Sequence, residues 1–324
     1  MTPRWSYALN QWNAGHDLFV RPEEHLKAFK VLAACGFDAL ELSAGTGRWE
    51  PLGRRDWIER YYGSVDGLRQ VLAGAGIRAV SSIVFDPGAM IFEEGAFGRS
   101  VLNAADHAPI VASMAPYAEL LPALGGDTLV ARGLPGWSAE RTLDDATVDT
   151  VARCWNAAGR MAAGHGVRLA LNFDGLTMAR SVDDIARVLA RCDPACVGLS
   201  MDTADAVISG LDPLDLVDRL GERLWHVQLK NTRHRDELGE YRLPGAERAL
   251  LQGGGAREIE RWYWELGDPH GLVDVEGVVR RLRARGYPGW LVVESDQSPL
   301  PAASAMLNGW FVQHRLSPLM AARP

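Results

Sequence analysis

The sequence predicts an α/β protein built as a single (β/α)8 TIM barrel that spans residues 1–324. Short apolar or β-branched runs alternate with longer segments whose apolar residues recur at helical spacing. About eight such units follow one another, and this number fits a closed parallel barrel better than an open sheet. Neither a GxGxxG nor a GxxxxGK[ST] motif accompanies the strands, so a dinucleotide fold, a P-loop and a nucleotide cofactor are not expected.

The eight predicted strands are short and rich in apolar or β-branched residues. They cover residues 5–9, 39–43, 77–85, 128–131, 167–173, 197–201, 224–229 and 290–294. The intervening helical patterns cover residues 22–34, 68–75, 148–163, 182–190, 214–220 and 275–285. Ser181 and Asp212 stand at helix-capping positions, and Gly36, Gly76 and Gly286 follow helices as typical terminators.

One segment, at about residues 230–274, interrupts this alternation after the seventh strand. It contains no clear strand and is dense in charged and aromatic residues, including Trp262 and Trp264. A connection of this length usually carries function, and loops that follow the strands of a barrel lie at its catalytic face. We therefore predict that this insertion is a lid or an interface element.

The composition excludes several classes of protein. The 34 Lys and Arg residues against 41 Asp and Glu residues provide no basic excess for binding nucleic acid. No apolar run approaches the ~18 residues of a membrane span, and the first residues lack the apolar core of a signal peptide. The four cysteines show no CxxC spacing, so we expect reduced thiols. A cytoplasmic protein with neither a membrane nor a nucleic-acid partner is predicted.

Polar residues stand where the predicted strands end. A strand that is buried on both faces carries a charge only where the charge has a partner or a function. Because strand ends of a barrel meet at one face, we expect these residues to share a pocket. They are Glu41, Asn172, Asp174, Asp202, Asp205, His226, Gln228, Lys230, Glu294 and Asp296.

Three of these strand ends carry a family resemblance. Gly198-Leu-Ser-Met-Asp202-Thr, Leu224-Trp-His226-Val-Gln228-Leu-Lys230 and Gly286-Tyr-Pro-Gly-Trp-Leu-Val-Val-Glu294 resemble the sugar phosphate isomerase/epimerase family of xylose isomerase-like TIM barrels. This family includes keto-sugar 3-epimerases and inosose dehydratases. The resemblance implies one metal ligand from each of strands five to eight, at Asn172, Asp202, Gln228 and Glu294.

The implied ligand set departs from the family pattern at two positions. Asn172 stands where the family has Glu, and Gln228 stands where the family has His. The four side chains would form an all-oxygen site of formal charge −2, which suits Mn²⁺ or Mg²⁺ better than zinc. Neutral amides are weaker ligands, so a pocket with a divalent cation and a pocket without one both stay open.

The same departures constrain the predicted reaction. A carboxamide is not a base, so Asn172 disfavours epimerisation by two carboxylates. We predict an isomerase- or lyase-type enzyme acting on a keto-sugar, a cyclitol or an oxidised glycoside. In this scheme Glu294 or Asp202 removes a proton next to a carbonyl, and His226 or Lys230 protonates the leaving group or stabilises the enolate. The alternative is a non-catalytic or metal-independent barrel that serves as a carbohydrate-like ligand-binding or scaffolding subunit.

The remaining expectations concern substrate contacts and assembly. We expect a small carbohydrate-like substrate and a homodimer or homotetramer, as is common in the family. Trp12, Trp49 and Trp137 lie near predicted strand ends, where an indole ring can stack on a sugar face. The candidate substrate-binding residues are Asn172, Gln228, Lys230, Asp205, Glu41, Arg233, Trp12 and His270.

Overall fold

A computed structural model of the chain describes residues 4–9, 12, 22–44, 52–88, 98–137, 141–243, 246, 261–296 and 298–321. Its central feature is a closed barrel of eight parallel strands, which confirms the predicted fold class. The barrel strands are β1 (Arg4–Ala8), β2 (Ala39–Ser43), β3 (Ala79–Phe85), β4 (Thr128–Arg132), β5 (Arg168–Asn172), β6 (Val197–Asp202), β7 (Leu224–Leu229) and β10 (Trp290–Val293). Two short strands outside the barrel, β8 (Asn231–Thr232) and β9 (Tyr263–Trp264), come between β7 and β10 in the chain.

The barrel closes where β1 pairs with both β10 and β2. Next to β10 in the barrel, β7 lies between β6 and β10, and Gln228 is in register with Asp202 on one side and with Val292 on the other. Because all eight strands run in the same direction, their carboxyl ends open at one rim. The polar strand ends predicted from the sequence therefore belong to a common end of the barrel.

Helices surround the barrel and, except for the last short one, bury apolar side chains. They are Pro22–Ala34, Arg55–Tyr62, Val65–Ala75, His107–Ala123, Asp145–Gly164, Val182–Arg191, Thr203–Ile208, Pro213–Leu220, Val275–Ala284, Pro301–Phe311 and Ser317–Ala321. The side chains of Ser181 and Asp212 accept hydrogen bonds from the first turns that they cap, as predicted. The helix at 107–123 was not predicted, because Pro116 and Pro122 lie inside it and Pro normally interrupts a helix.

The insertion after β7 contains two short strands that the sequence did not predict. These strands, β8 (Asn231–Thr232) and β9 (Tyr263–Trp264), pair in an antiparallel arrangement. Residues 244, 245 and 247–260 of the insertion lie outside the described residues. All four cysteines are free thiols, as expected, and none of the described helices is long and apolar enough to cross a lipid bilayer.

Candidate active site

The carboxyl ends of β6, β7 and β10 bring three predicted site residues together around one amino group. Lys230 Nζ lies 3.0 Å from Asp202 Oδ2 and 2.8 Å from Glu294 Oε2. It also donates a hydrogen bond of 2.8 Å to Asp296 Oδ2. The lysine side chain is 6% exposed, and the three carboxyl side chains are between 2% and 7% exposed. We call Lys230, Asp202, Glu294 and Asp296 the lysine cluster.

Local structure at the end of β6 positions two members of this cluster. Asp202 caps the helix Thr203–Ile208, and its Oδ1 atom accepts hydrogen bonds from the backbone N–H groups of Ala204 and Asp205. Its Oδ2 atom is therefore left to face Lys230. The Thr203 hydroxyl holds the lysine backbone, because it donates to the carbonyl of Lys230 at 2.7 Å and accepts from its N–H at 2.9 Å.

Among the described residues after Lys230 in the insertion, Tyr263 of β9 contacts the site. The Tyr263 hydroxyl donates a hydrogen bond of 2.6 Å to Asp205 Oδ1, and its ring faces Lys230 Nζ at 4.6 Å from the ring centroid. A hydrogen bond joins the two ends of the insertion, because the side-chain amide of Asn231 donates to the Leu266 carbonyl at 3.2 Å. The insertion thus forms part of the wall around the lysine cluster.

The electrostatics of this region follow from several carboxyl groups that share a buried ammonium. Burial lowers the pKa of Lys230, but the charges of Asp202, Asp296 and Glu294 outweigh burial and raise this pKa well above its usual value. Burial, together with the Asp296 charge, raises the pKa of Glu294 well above its usual range. Burial and the Asp202 charge act in the same way on the pKa of Asp205. Lys230 therefore stays charged, while protons are held on part of the carboxyl set.

A second polar group lies deeper in the barrel and contains His226, Glu41 and Gln228. His226 Nε2 lies 2.7 Å from Glu41 Oε2, and His226 Nδ1 shares a hydrogen bond of 2.9 Å with the Ser200 hydroxyl. The Gln228 amide donates to Glu41 Oε1 at 2.7 Å. Burial acts to raise the pKa of Glu41, but the charge and hydrogen bond of His226, with the bonds from Ser82 and Gln228, lower it. These contacts occupy both ring nitrogens of His226 in the barrel interior.

The ends of β4 and β5 form another part of the rim. Asn172 is half-buried at the end of β5 and is in register with Ser200 and Arg132. Arg132 binds both carboxylate oxygens of Asp174, at 2.7 and 3.1 Å, and reaches Asp86 at 3.4 Å. Sequence reasoning missed Arg132, although its position at a strand end was the signal that identified the other residues.

Three predicted substrate contacts make other contacts in the structure. Arg233 forms an ion pair with Asp268, and its guanidinium stacks 3.3 Å from the Trp264 ring centroid. His270 is exposed, and its backbone N–H donates to the same aspartate. Trp12 is buried and packs edge-on against Tyr7. Trp49 lies outside the described residues, while the Trp137 ring lies under the Arg180 guanidinium at 5.5 Å.

The sequence and the fold agree with one protein family. A family model described as the xylose isomerase-like TIM barrel matches residues 29–311. The chain belongs to this family. Because the matched region contains β2 to β7, β10 and the insertion, all members of the lysine cluster lie within it.

Individual relatives and solved structures extend this result. The chain is 26% identical over 204 residues to an inosose dehydratase of Geobacillus kaustophilus; the match covers 58% of this chain and 61% of the relative. A probable 3-DHS dehydratase, AsbF from Bacillus anthracis, superposes with a TM-score of 0.70 at 13% identity, covering 96% and 99% of the two chains. A xylose isomerase-like TIM barrel protein from Mycobacterium smegmatis in complex with magnesium superposes with a TM-score of 0.68 at 18% identity, covering 99% and 98%. At these identities the structural matches show the fold alone.

Two members of the ligand set implied by the xylose isomerase-like family, Asp202 and Glu294, contact the Lys230 ammonium in this chain. In the described ranges, no three His, Cys, Asp or Glu side chains are arranged as a metal site. The Gln228 amide is directed to Glu41, and the Lys230 ammonium lies against the Asp202 and Glu294 oxygens that a cation would bind. The Asp202 and Glu294 oxygens therefore already contact a cation, while the metal-binding role of Asn172 and Gln228 stays a prediction.

Proposed function

We propose that this protein is an isomerase- or lyase-type enzyme that acts on a small carbohydrate-like carbonyl compound. Its substrate would be a keto-sugar, a cyclitol ketone or an oxidised glycoside, and its reaction would begin with proton abstraction next to the carbonyl. The observation that carries this proposal is the pairing of the Asp202 and Glu294 carboxyls with one buried ammonium at the carboxyl ends of the barrel strands. The dehydratase names of its relatives favour elimination of water as the overall reaction.

In the proposed first step, the ionised form of Glu294 accepts the proton from the carbon next to the carbonyl, and the raised pKa of this carboxyl makes the ionised form a stronger base. The electron pair of the broken C–H bond forms a C=C bond, and the carbonyl oxygen becomes an enolate oxygen. An ammonium near that oxygen stabilises the developing negative charge, and Lys230 is the cation in reach of Glu294. Asp202 keeps the lysine in place and is the second candidate for the base.

The second step decides between the two reaction classes. In an elimination the enolate re-forms the carbonyl and expels the hydroxyl group on the next carbon. The Asp205 carboxyl, which is hydrogen-bonded to Tyr263, supplies a proton to that hydroxyl, which leaves as water. In an isomerisation the proton instead returns to the former carbonyl carbon, and the hydroxyl proton of the carbon that was deprotonated moves to the enolate oxygen, so that the carbonyl and hydroxyl groups exchange places. Asn172 and Arg132 are in register at the ends of β5 and β4, and in this proposal they bind substrate hydroxyl groups.

The test uses a panel of keto-cyclitols and keto-sugars in deuterated water. Exchange of the proton next to the carbonyl is followed by proton NMR, and elimination is followed by ultraviolet absorbance of the conjugated product. We expect Glu294→Gln to lower both rates by about 10²- to 10⁴-fold, because the amide is not a base. Glu222→Gln, at an exposed position, is the matched control and should retain the wild-type rates.

Two outcomes would count against this proposal. Equal rates for the wild type and Glu294→Gln would remove Glu294 from the reaction. The other outcome is that the wild type exchanges no proton on any compound while a carbohydrate raises its melting temperature. That result would support the ligand-binding or scaffolding alternative.

A further inference from the structure

We propose that the Lys230 ammonium takes the place of a divalent cation in this site, so that the protein works without bound metal. The structural part of this proposal is independent of the reaction, while its catalytic consequence rests on the proposed function. The proposal rests on one observation: the Lys230 amino group lies within 3.0 Å of carboxylate oxygens of Asp202, at the end of β6, and Glu294, at the end of β10.

The Lys230 ammonium competes sterically with a divalent cation. Mg²⁺ binds oxygen at about 2.0–2.1 Å, and Ca²⁺ binds it at about 2.3–2.6 Å. Lys230 Nζ contacts the same two oxygens that a cation would bridge, Asp202 Oδ2 and Glu294 Oε2. A metal ion that bound both atoms would overlap the ammonium or lie against it, where two positive charges repel each other.

Several contacts hold the lysine in this position. Its backbone N–H and carbonyl are both hydrogen-bonded to the Thr203 hydroxyl, and its amino group donates to Asp296. The ring of Tyr263 covers the amino group from the insertion. Withdrawing the ammonium would break these contacts and leave buried carboxylates without their cation, which is costly.

Strand β7 offers no free imidazole ligand to a metal. Position 228 of β7 carries a glutamine whose amide N–H group is used by Glu41. His226, two residues earlier on the same strand, has both ring nitrogens engaged by Glu41 and Ser200. Among the described site residues, no neutral imidazole nitrogen is therefore free to coordinate a metal at the level of Lys230.

The two cations differ in ways that matter for chemistry. An ammonium offers one positive charge and three N–H donors, so it binds an enolate oxygen by hydrogen bonding rather than by coordination. It also cannot be removed by a chelator. The proposed reaction should therefore be insensitive to chelation, in contrast to a reaction that depends on a bound divalent ion.

The experiment measures Mn²⁺ binding without substrate, by the EPR signal of free Mn²⁺ and by isothermal titration calorimetry. The proteins are the wild type, Lys230→Ala, the double variant Lys230→Ala/Gln228→His, and the exposed control Lys27→Ala. We expect the wild type and the control to bind no stoichiometric Mn²⁺ up to about 1 mM. Removal of the ammonium should tighten Mn²⁺ binding by at least about tenfold, and the added imidazole should tighten it further.

Stoichiometric binding by the wild type with a Kd below about 10 μM would overturn the proposal, and this result does not depend on whether the variants fold. Equally weak binding by the wild type and by a folded Lys230→Ala would also overturn it, because the ammonium would then not be what excludes the metal. If turnover is found, the rate with a chelator should stay within about twofold of the untreated rate. Absence of turnover would count against the proposed function only, since the titrations contain no substrate.

Discussion

Replacement of Lys230 by Met tests whether the ammonium stabilises the fold as well as the site. Met preserves much of the buried stem and removes the positive charge that lies within 3.0 Å of Asp202, Glu294 and Asp296. Removing one partner of a buried ion pair typically lowers the free energy of unfolding by about 3–5 kcal/mol. We expect a loss within this range at pH 7. Carboxyl groups that lose the ammonium can take up a proton instead of remaining charged, and this uptake limits the loss of free energy. A pKa change of one unit corresponds to about 1.4 kcal/mol.

The loss should depend on pH in a direction that follows from the carboxyl groups. The pKa values of Asp202, Asp205 and Glu294 are raised in the folded protein, so the folded state binds more protons than the unfolded state. The stabilisation that these groups provide is fully present below their unfolded pKa of about 4. It is lost as the pH rises toward their folded pKa. Without the ammonium these folded pKa values rise further, so the deficit of Lys230→Met should grow between about pH 5 and pH 8.

Urea denaturation at several pH values, followed by circular dichroism, measures this deficit. Lys27→Met is the matched control, because Lys27 is exposed and forms one surface ion pair with Glu24. Its effect should stay within about 0.5 kcal/mol at every pH. The reasoning would be refuted by a Lys230→Met deficit below about 1 kcal/mol at pH 7, or by equal deficits at low and high pH.

Two further predictions concern the insertion. Tyr263→Phe removes the hydroxyl that donates to Asp205 and should lower the free energy of unfolding by about 1–3 kcal/mol, measured by urea denaturation; an unchanged value would mean that Asp205 finds another donor. Asp268→Asn weakens the bidentate pair with Arg233 and should cost about 1 kcal/mol or less. It should also speed hydrogen exchange at Trp264, and exchange at the wild-type rate would show that the stacked guanidinium holds the insertion by itself.

The architecture was predictable because its signals are local. Helical spacing and capping residues such as Ser181 are written within one turn of chain, and the strand at 39–43 was predicted with the bounds that the structure has. The helix at 107–123 escaped prediction for the opposite reason. Its internal prolines normally interrupt a helix, and packing against the barrel overrides this local preference.

The candidate site was predictable only in part. Parallel strands place their carboxyl ends at one rim, and this rule alone brings Asp202, Lys230 and Glu294 together. The same alternation assigned His226 to the face of Lys230, but each two-residue step moves a side chain about 6.6 Å along the strand. His226 therefore lies in the barrel interior with Glu41 rather than beside the ammonium.

The sequence by itself determined the barrel, its family and the carboxyl and amino groups at the rim, because these features depend on the spacing of residues along the chain. Three-dimensional packing decided which of these groups touch. Tyr263 reaches Asp205 from the far side of the insertion, and Lys230 occupies the space between two carboxylates that a motif alone would assign to a metal. Such contacts depend on distances of a few ångströms between residues remote in sequence, and only the folded chain sets those distances.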